Sequence, residues 1–288
     1  MYPFINIGSF HLGTFGLLLW LAAVVATVVL HKNFVRNGVE GDALSVVAFV
    51  VVAGVIGAKA WHELQSIPEL TMSMRRIVAP GWSNPVDVVL GFLHWFQAGF
   101  AWFGGMLAGI LTLMWQGRQA RFAGPKEGTP GPRVGALRML DLAAPAAAIG
   151  YGVGRIGCLL SGDGDYGIKT TLPWGVHMRP DALVPTLDLV QPTPVYELLF
   201  SLVLAWWIWK RGTKRLSVGV LTGEYLVLSG IGRFLVEFVR VNPRIHWGMS
   251  NAQVAALGSV VAGVLLVLWG RAKALPWGAG EVAADAGL

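Results

Sequence analysis

Cysteine is nearly absent: Cys158 is the only one among 288 residues. A lone cysteine excludes an internal disulfide and a CxxC metal site. Charge is scarce as well. Asp, Glu, Lys and Arg make up 13% of the chain, about half of the ~25% usual in a soluble domain. The six histidines, His11, His31, His62, His94, His177 and His246, are scattered and form no HExxH or HxxxH pattern. No histidine ligand cluster is therefore expected. The chain shows no repeat of 20–50 residues and no inverted pair of broken helices of the transporter kind. The first apolar run lacks a basic leading region and an A-x-A-like exit, so no cleaved signal peptide is expected.

What is abundant is apolar. Hydrophobic residues reach 55%, Trp alone contributes 13, and mean hydropathy is +0.59. Trp suits the interfaces of a bilayer. The net charge of +6 comes from basic residues that fall between apolar runs. They read as topology signals, not as a nucleic-acid face. A membrane-spanning helix needs about 20 apolar residues. Seven runs qualify as candidates: Leu12–Leu30, Ala43–Trp61, Phe100–Trp115, Met139–Leu160, Val195–Trp209, Val218–Phe238 and Asn251–Trp269. The predicted fold is all-α, a polytopic membrane bundle of about seven helices in one domain over residues 1–270. Pro85–Gln97 is too short to span and reads as interfacial. The tail after Trp277 reads as disordered.

Lys and Arg counts set an orientation. Connections 31–42, 116–138, 210–217 and 271–288 carry thirteen basic residues, and the opposite set carries six, namely Arg75, Arg76, Lys169, Arg179, Arg240 and Arg244. The positive-inside rule then places the C-terminal tail 271–288 in the cytoplasm and the N-terminus outside, with outer loops at 62–99 and 161–194.

Two arginines stand apart. Arg155 ends an apolar run inside Gly154-Arg155-Ile156-Gly157, and Arg233 sits in another run, four residues before Glu237. A charge at membrane depth is costly, so it marks a site. Arginine keeps its charge there and grips phosphate with a rigid fork. Both lie near the outer ends of their helices, where one phospholipid headgroup could meet both. Glu237 shares a helix face with Arg233 and orients it; the bland alternative is a self-neutralised pair. Arg240, one turn on, extends the basic strip or sits in the interface. Gly154, Gly157, Gly162, Gly164 and Gly167 allow backbone near a ligand, or close helix packing. Asp163 and Asp165 form a turn, or supply a carboxylate that positions Arg155. Glu197, after Pro192 and Tyr196, reads first as favouring a positive helix end. His62, His94, His177 and His246 are outer-side proton-acceptor candidates, each more simply an interfacial polar residue. Cys158 reads as a small core residue. Ser161 and Ser229 have no helix-borne histidine base, which argues against an intramembrane serine protease.

The blocks Gly154-Arg155-Ile156-Gly157 with Gly162 and Gly167, Gly104-Gly105, Pro192…Tyr196-Glu197 and Arg233-x-x-x-Glu237-Phe238-x-Arg240 resemble, in order and spacing, those of the prolipoprotein diacylglyceryl transferase family. The resemblance implies seven spans in the bacterial inner membrane. It also implies transfer of a diacylglyceryl group from phosphatidylglycerol to the lipobox cysteine thiol of a lipoprotein precursor, with no metal and no dissociable cofactor. Catalytic roles would fall to Arg155, Arg233 and Glu237. Substrate contacts would fall to Gly154, Gly157, Asp163, Gly167, Gly104, Gly105, Tyr196, Glu197 and Arg240. The chain departs from the family at several positions. Phe103 stands where the family has His, Cys158 where it has Asn, Phe15 where it has Tyr and Lys59 where it has Arg. The segment 161–167 carries one extra residue. A paralogue that moves a phospholipid group to another acceptor, and a non-catalytic lipid-binding protein, are the alternatives.

Overall fold

The computed structural model describes residues 2–8, 10–65, 67–78, 85–97, 100–124, 126, 129–214 and 216–275. The expectation for the tail beyond Trp277 lies outside them. Each apolar run of the sequence falls in one helix: α1 (Thr14–Arg36), α2 (Ala43–Gln65), α5 (Trp102–Gln119), α6 (Ala136–Ser161), α7 (Thr193–Arg211), α8 (Val220–Val236) and α9 (Asn251–Lys273). Two shorter helices, α3 (Ile67–Val78) and α4 (Pro85–Gln97), occupy most of the segment read as an outer loop. Among the described residues, α1, α2, α6 and α9 are long and apolar enough to cross a bilayer. At 18, 19 and 17 residues, α5, α7 and α8 are shorter and interrupted by more polar side chains. The protein is an all-helical membrane bundle with small β additions. These are the hairpins β1 (Phe4–Ile7)–β2 (Phe10–Gly13), β6 (Val176–Met178)–β7 (Thr186–Val190) and β8 (Arg244–His246)–β9 (Met249–Ser250). A three-stranded sheet joins β3 (Val39–Glu40), β4 (Arg121–Ala123) and β5 (Pro130–Arg133).

The chain forms two compact units, one of Met1–Leu44 with Gly117–Leu288 and one of Ser45–Gln116. In the larger unit α6 is central and packs on α1, α7 and α8, while α8 lies along α9. Its inner face is built from small residues, with Ala143, Ala144, Ala146 and Ala148 buried around Pro145. Small side chains let backbones approach, which is how helices associate without a solvent-driven force. The α8–α9 contact is a reciprocal case. A Cβ on Gly223 would stand 2.7 Å from the Gly263 carbonyl oxygen, and one on Gly263 would stand 2.7 Å from that of Gly223.

Buried polar groups fix the helix ends. Asp141 on α6 is fully buried and accepts from Gly219 N at 2.6 Å, Thr222 N at 2.7 Å and Thr222 Oγ1 at 2.6 Å. It thereby satisfies the orphan amides at the start of α8. Asn33 Nδ2 donates to the Leu142 carbonyl at 2.7 Å, and Arg36 caps α7 by donating to the Trp209 carbonyl at 3.0 Å. At the other end of the unit, Ser250 and Gln253 form a reciprocal capping box at the start of α9.

Within the smaller unit, α2 and α5 meet through glycine. A Cβ on Gly104 would overlap the Gly57 carbonyl, and one on Gly105 would stand 3.1 Å from the Gly54 carbonyl oxygen. Lys59 is buried on α2, where it pairs with Glu63 at 2.8 Å and donates to the Trp95 carbonyl at 2.6 Å.

Candidate active site

In the larger unit, α6 ends, α7 begins, α8 ends and α9 begins at the same end, so side chains from four helices meet there. Arg155 lies one turn after Tyr151 on α6. Its Nη2 donates to the Tyr151 hydroxyl at 2.9 Å, and its guanidinium carbon stands 4.7 Å from the Tyr151 ring centroid. That hydroxyl in turn donates to Glu197 Oε1 at 2.6 Å. Glu197 is the hub. Its carboxylate oxygens lie 3.3 Å from Arg155 Nε, 3.5 Å from Arg233 Nη1 and 3.6 Å from Arg240 Nη1. Arg155 and Arg233, placed on α6 and α8 and 78 positions apart in the chain, thus reach one carboxylate.

Glu237 follows α8 in a 3-10 turn over Glu237–Val239. It pairs with Arg233 at 2.7 Å and lies 3.5 Å from Arg240 Nε. Its other oxygen accepts from Asn242 Nδ2 at 2.5 Å and from Ser250 Oγ at 2.7 Å. The capping serine of α9 therefore also anchors the site. Arg233 Nη1, Arg240 Nε, Glu197 Oε2 and Glu237 Oε2 are buried within ion-pair distance but lack hydrogen-bond alignment. Their charges are compensated while directed bonding capacity is left over.

The loop after α6 supplies the third carboxylate. Gly162 closes α6 in the left-handed conformation, φ 61°, where a glycine suffers no Cβ clash. Asp165 then binds Arg155 through Oδ2 and Arg240 through Oδ1, and its carbonyl accepts from Thr193 Oγ1 at 2.5 Å. Burial alone would raise the Asp165 carboxyl, but Arg240 and Arg155 outweigh it and hold it below the usual carboxylate range. Burial pushes Asp163 up, and the Asp165 charge adds to the rise. Burial lowers Arg240, yet Asp165 and Glu197 more than restore it.

Several expected site residues sit where packing accounts for them. A Cβ on Gly157 would stand 3.2 Å from Leu18 Cβ on α1, and one on Gly167 would overlap the Val239 carbonyl, where Gly167 and Arg240 form a β-bridge. Gly154 is the exception: a Cβ there would meet only Leu19 Cδ2, in ordinary contact at 3.9 Å. Gly104 and Gly105 belong to the smaller unit and its α2–α5 packing. Tyr196 accepts from Trp174 Nε1 at 2.8 Å on the exposed side of α7. Asp163 is half-buried; its Oδ1 accepts the Asp165 amide at 3.2 Å, shaping the turn beneath Arg155.

One expectation needs correction. Glu197 is not a helix-end residue, because the first turn of α7 carries no acid; it binds arginines instead. Arg240 extends the basic strip, with its side chain 6% exposed and engaged with Asp165, Glu197 and Glu237. Sequence reasoning also missed Tyr151, Asn242 and Ser250. Only the i, i+4 spacing of Tyr151 and Arg155 offered a signal.

Exposed His177 and His246 spend ring nitrogens on the Leu187 carbonyl at 3.1 Å and Asn251 Oδ1 at 2.7 Å, away from the cluster. The His94 side chain lies outside the described residues. Cys158, Asp163 and Asp165 bring ligand atoms within 4.8 Å of one another. Both Asp165 oxygens are committed to arginine, so this trio suits a cation poorly. A dense group of guanidinium forks at the end of a membrane bundle suits an anion that carries several acceptor oxygens.

Comparison with known proteins points the same way. The prolipoprotein diacylglyceryl transferase family matches residues 3–269. A phosphatidylglycerol–prolipoprotein diacylglyceryl transferase of Clostridium tetani is 26% identical over 254 residues, covering 88% of this chain and 90% of its own. A second enzyme of that name from Clostridium perfringens is 26% identical over 255 residues, covering 88% and 89%. One from a Synechococcus species is 27% identical, covering 93% of each chain. With residues 3–269 of its 288 matched, the chain belongs to the prolipoprotein diacylglyceryl transferase family.

Proposed function

We propose that this protein transfers the diacylglyceryl group of phosphatidylglycerol to the lipobox cysteine thiol of a lipoprotein precursor. In that reaction the thiolate sulfur attacks the glyceryl carbon bearing the phosphate ester. The carbon–oxygen bond breaks, and glycerol phosphate departs with the electron pair. Negative charge grows on the phosphate, so preorganised cations around it lower the barrier. Arg155, Arg233 and Arg240 provide that field. Glu237 and Glu197 orient Arg233, Tyr151 orients Arg155, and the donors without aligned partners remain for the phosphate.

The observation that carries this reading is the meeting of Arg155 and Arg233 on Glu197, at 3.3 and 3.5 Å. Seven spans in the bacterial inner membrane, with the N-terminus periplasmic, complete the proposal. The site then faces the outer leaflet, where lipid enters from the bilayer and the precursor signal peptide from outside.

The test is complementation. The chain is expressed in bacteria depleted of their own transferase, and the precursor is examined by mass spectrometry for the diacylglyceryl addition. Modified precursor is the expected result. Unmodified precursor at normal expression would contradict the proposal.

A further inference from the structure

The three arginines of the site face three carboxylates, Asp165, Glu197 and Glu237. Such a cluster is already neutral, and a phosphate entering it adds a negative charge. Either the site binds its anion weakly or one carboxylate gives way. The three carboxylates are not equivalent. Glu197 and Glu237 are 4% and 1% exposed and bonded to uncharged partners as well, Tyr151 for one and Asn242 with Ser250 for the other. Asp165 is 29% exposed and lies on a loop. Its oxygens divide between two arginines, Oδ2 to Arg155 and Oδ1 to Arg240. A phosphodiester presents its charge in the same form, with two non-ester oxygens that can each take one guanidinium.

We infer that Asp165 is a specificity-determining residue that competes with the lipid phosphate. Its carboxylate holds Arg155 and Arg240 in the spread that two phosphate oxygens require, and headgroup binding displaces it. The inference rests on the transfer reading above and assigns Arg240, beside Arg155, to the phosphate. The backbone is built for a side-chain swing and not a loop movement. The Asp165 carbonyl is held by Thr193 Oγ1 at 2.5 Å, Gly167 N donates to the Gln191 carbonyl at 2.8 Å, and Ile168 N donates to the Val239 carbonyl at 2.8 Å. Rotation of one partly exposed side chain frees Arg155 Nη1 and Arg240 Nη2 while the loop stays in place, with Arg240 Nη1 still donating to the Asp165 carbonyl at 3.3 Å. A lipid without a phosphate cannot displace Asp165, because it offers the two arginines no charged oxygens in exchange. The residue thereby selects for a phosphate-bearing lipid while keeping the buried guanidinium groups compensated.

The test uses the full chain in nanodiscs with sn-glycerol 1-phosphate, the proposed leaving group, as the titrant. Asp165→Asn removes the competing charge and keeps the shape. Its Kd for glycerol phosphate is expected to fall by about fivefold, the order of one partly screened ion pair, and the KM for phosphatidylglycerol to fall with it. Asp188→Asn, which breaks the exposed pair with Lys169, is expected to leave both unchanged. If Asp165→Asn does not fold, the wild type labelled with 13C-aspartate is examined by infrared difference spectroscopy. Adding glycerol phosphate is expected to shift one aspartate carboxylate band. Wild-type binding with no tightening in Asp165→Asn, or with no band shift, would overturn this inference alone. A wild type that neither binds glycerol phosphate nor turns over phosphatidylglycerol would overturn the transfer reading beneath it.

Discussion

At the scale of single residues, the site is a set of charges that compensate one another, and removing one side exposes the rest. Glu197 touches all three arginines. Breaking a buried pair typically costs about 3–5 kcal/mol, so Glu197→Ala is expected to lower the midpoint of thermal unfolding in detergent sharply and to abolish turnover. Arg155→Ala and Arg233→Ala are each expected to cut turnover at least ~100-fold, the usual loss for a group that stabilises developing charge. Cys158→Ala is expected to keep most activity, although Cys158 Sγ lies 3.7 Å from Arg155 Nη1; an equal loss in all three variants would mean the chemistry is misassigned.

Asp163 gives a pH test at the same scale. Burial raises its folded pKa, so its charged form costs stability above that pKa, and the cost vanishes below the ordinary carboxylate range. Asp163→Asn is thus expected to unfold at a higher temperature than wild type near pH 7 and at the same temperature near pH 3. A difference that persists at low pH would contradict the assignment. Arg155, Arg233 and Glu237 were legible in the sequence because a charge inside an apolar run is costly, and the i, i+4 spacing of Arg233 and Glu237 names a partner. Tyr151, Asn242 and Ser250 were not. Their polar tips matter only beside residues 5 to 46 positions away, a proximity that periodicity does not encode. Glu197 was visible but misread, because a carboxylate near a helix start looks the same whether it serves the helix or a distant arginine.

At the scale of elements, the seven long helices were legible and the short ones less so. Length and apolarity alone mark α1, α2, α6 and α9. The helix α3 and the hairpins β6–β7 and β8–β9 are built from short, mixed segments whose structure follows from contacts and not from pattern. Glycines read as ligand contacts, such as Gly104 and Gly167, stand where a Cβ would crowd a neighbouring backbone; a glycine block in a membrane chain does not distinguish the two roles. The registration of α8 depends on Asp141 and on the Gly223–Gly263 contact. Asp141→Ala leaves the buried amides of Gly219 and Thr222 without an acceptor, at about 1–3 kcal/mol for each orphaned group. It is expected to lower the unfolding midpoint more than activity per folded molecule. A variant with native stability would show that α8 does not need this cap.

At the scale of the whole molecule, the larger unit has unlike ends. One end carries the arginine–carboxylate site and the exposed β8–β9 turn at Trp247. The other gathers Arg36, Arg138, Lys210, Arg211, Arg271 and Lys273 at the ends of α1, α6, α7 and α9. That asymmetry is what the positive-inside rule would read as a cytoplasmic end, and it supports the orientation proposed above. With Cys158→Ala as background, Trp247→Cys is expected to react with a membrane-impermeant maleimide on intact spheroplasts, and Lys214→Cys only after lysis. The reverse would invert the proposed orientation and leave the site facing the wrong leaflet.

All three scales meet in the placement of one phosphate among arginines from separate helices. The most direct measurement is an experimental structure of the full chain in nanodiscs with phosphatidylglycerol bound. Density for the headgroup phosphate within hydrogen-bond distance of Arg155 and at least one of Arg233 and Arg240, at the end where α6 and α8 finish, is the predicted result. A phosphate lodged elsewhere in the bundle, with these guanidinium groups still paired only to their carboxylates, would contradict the account.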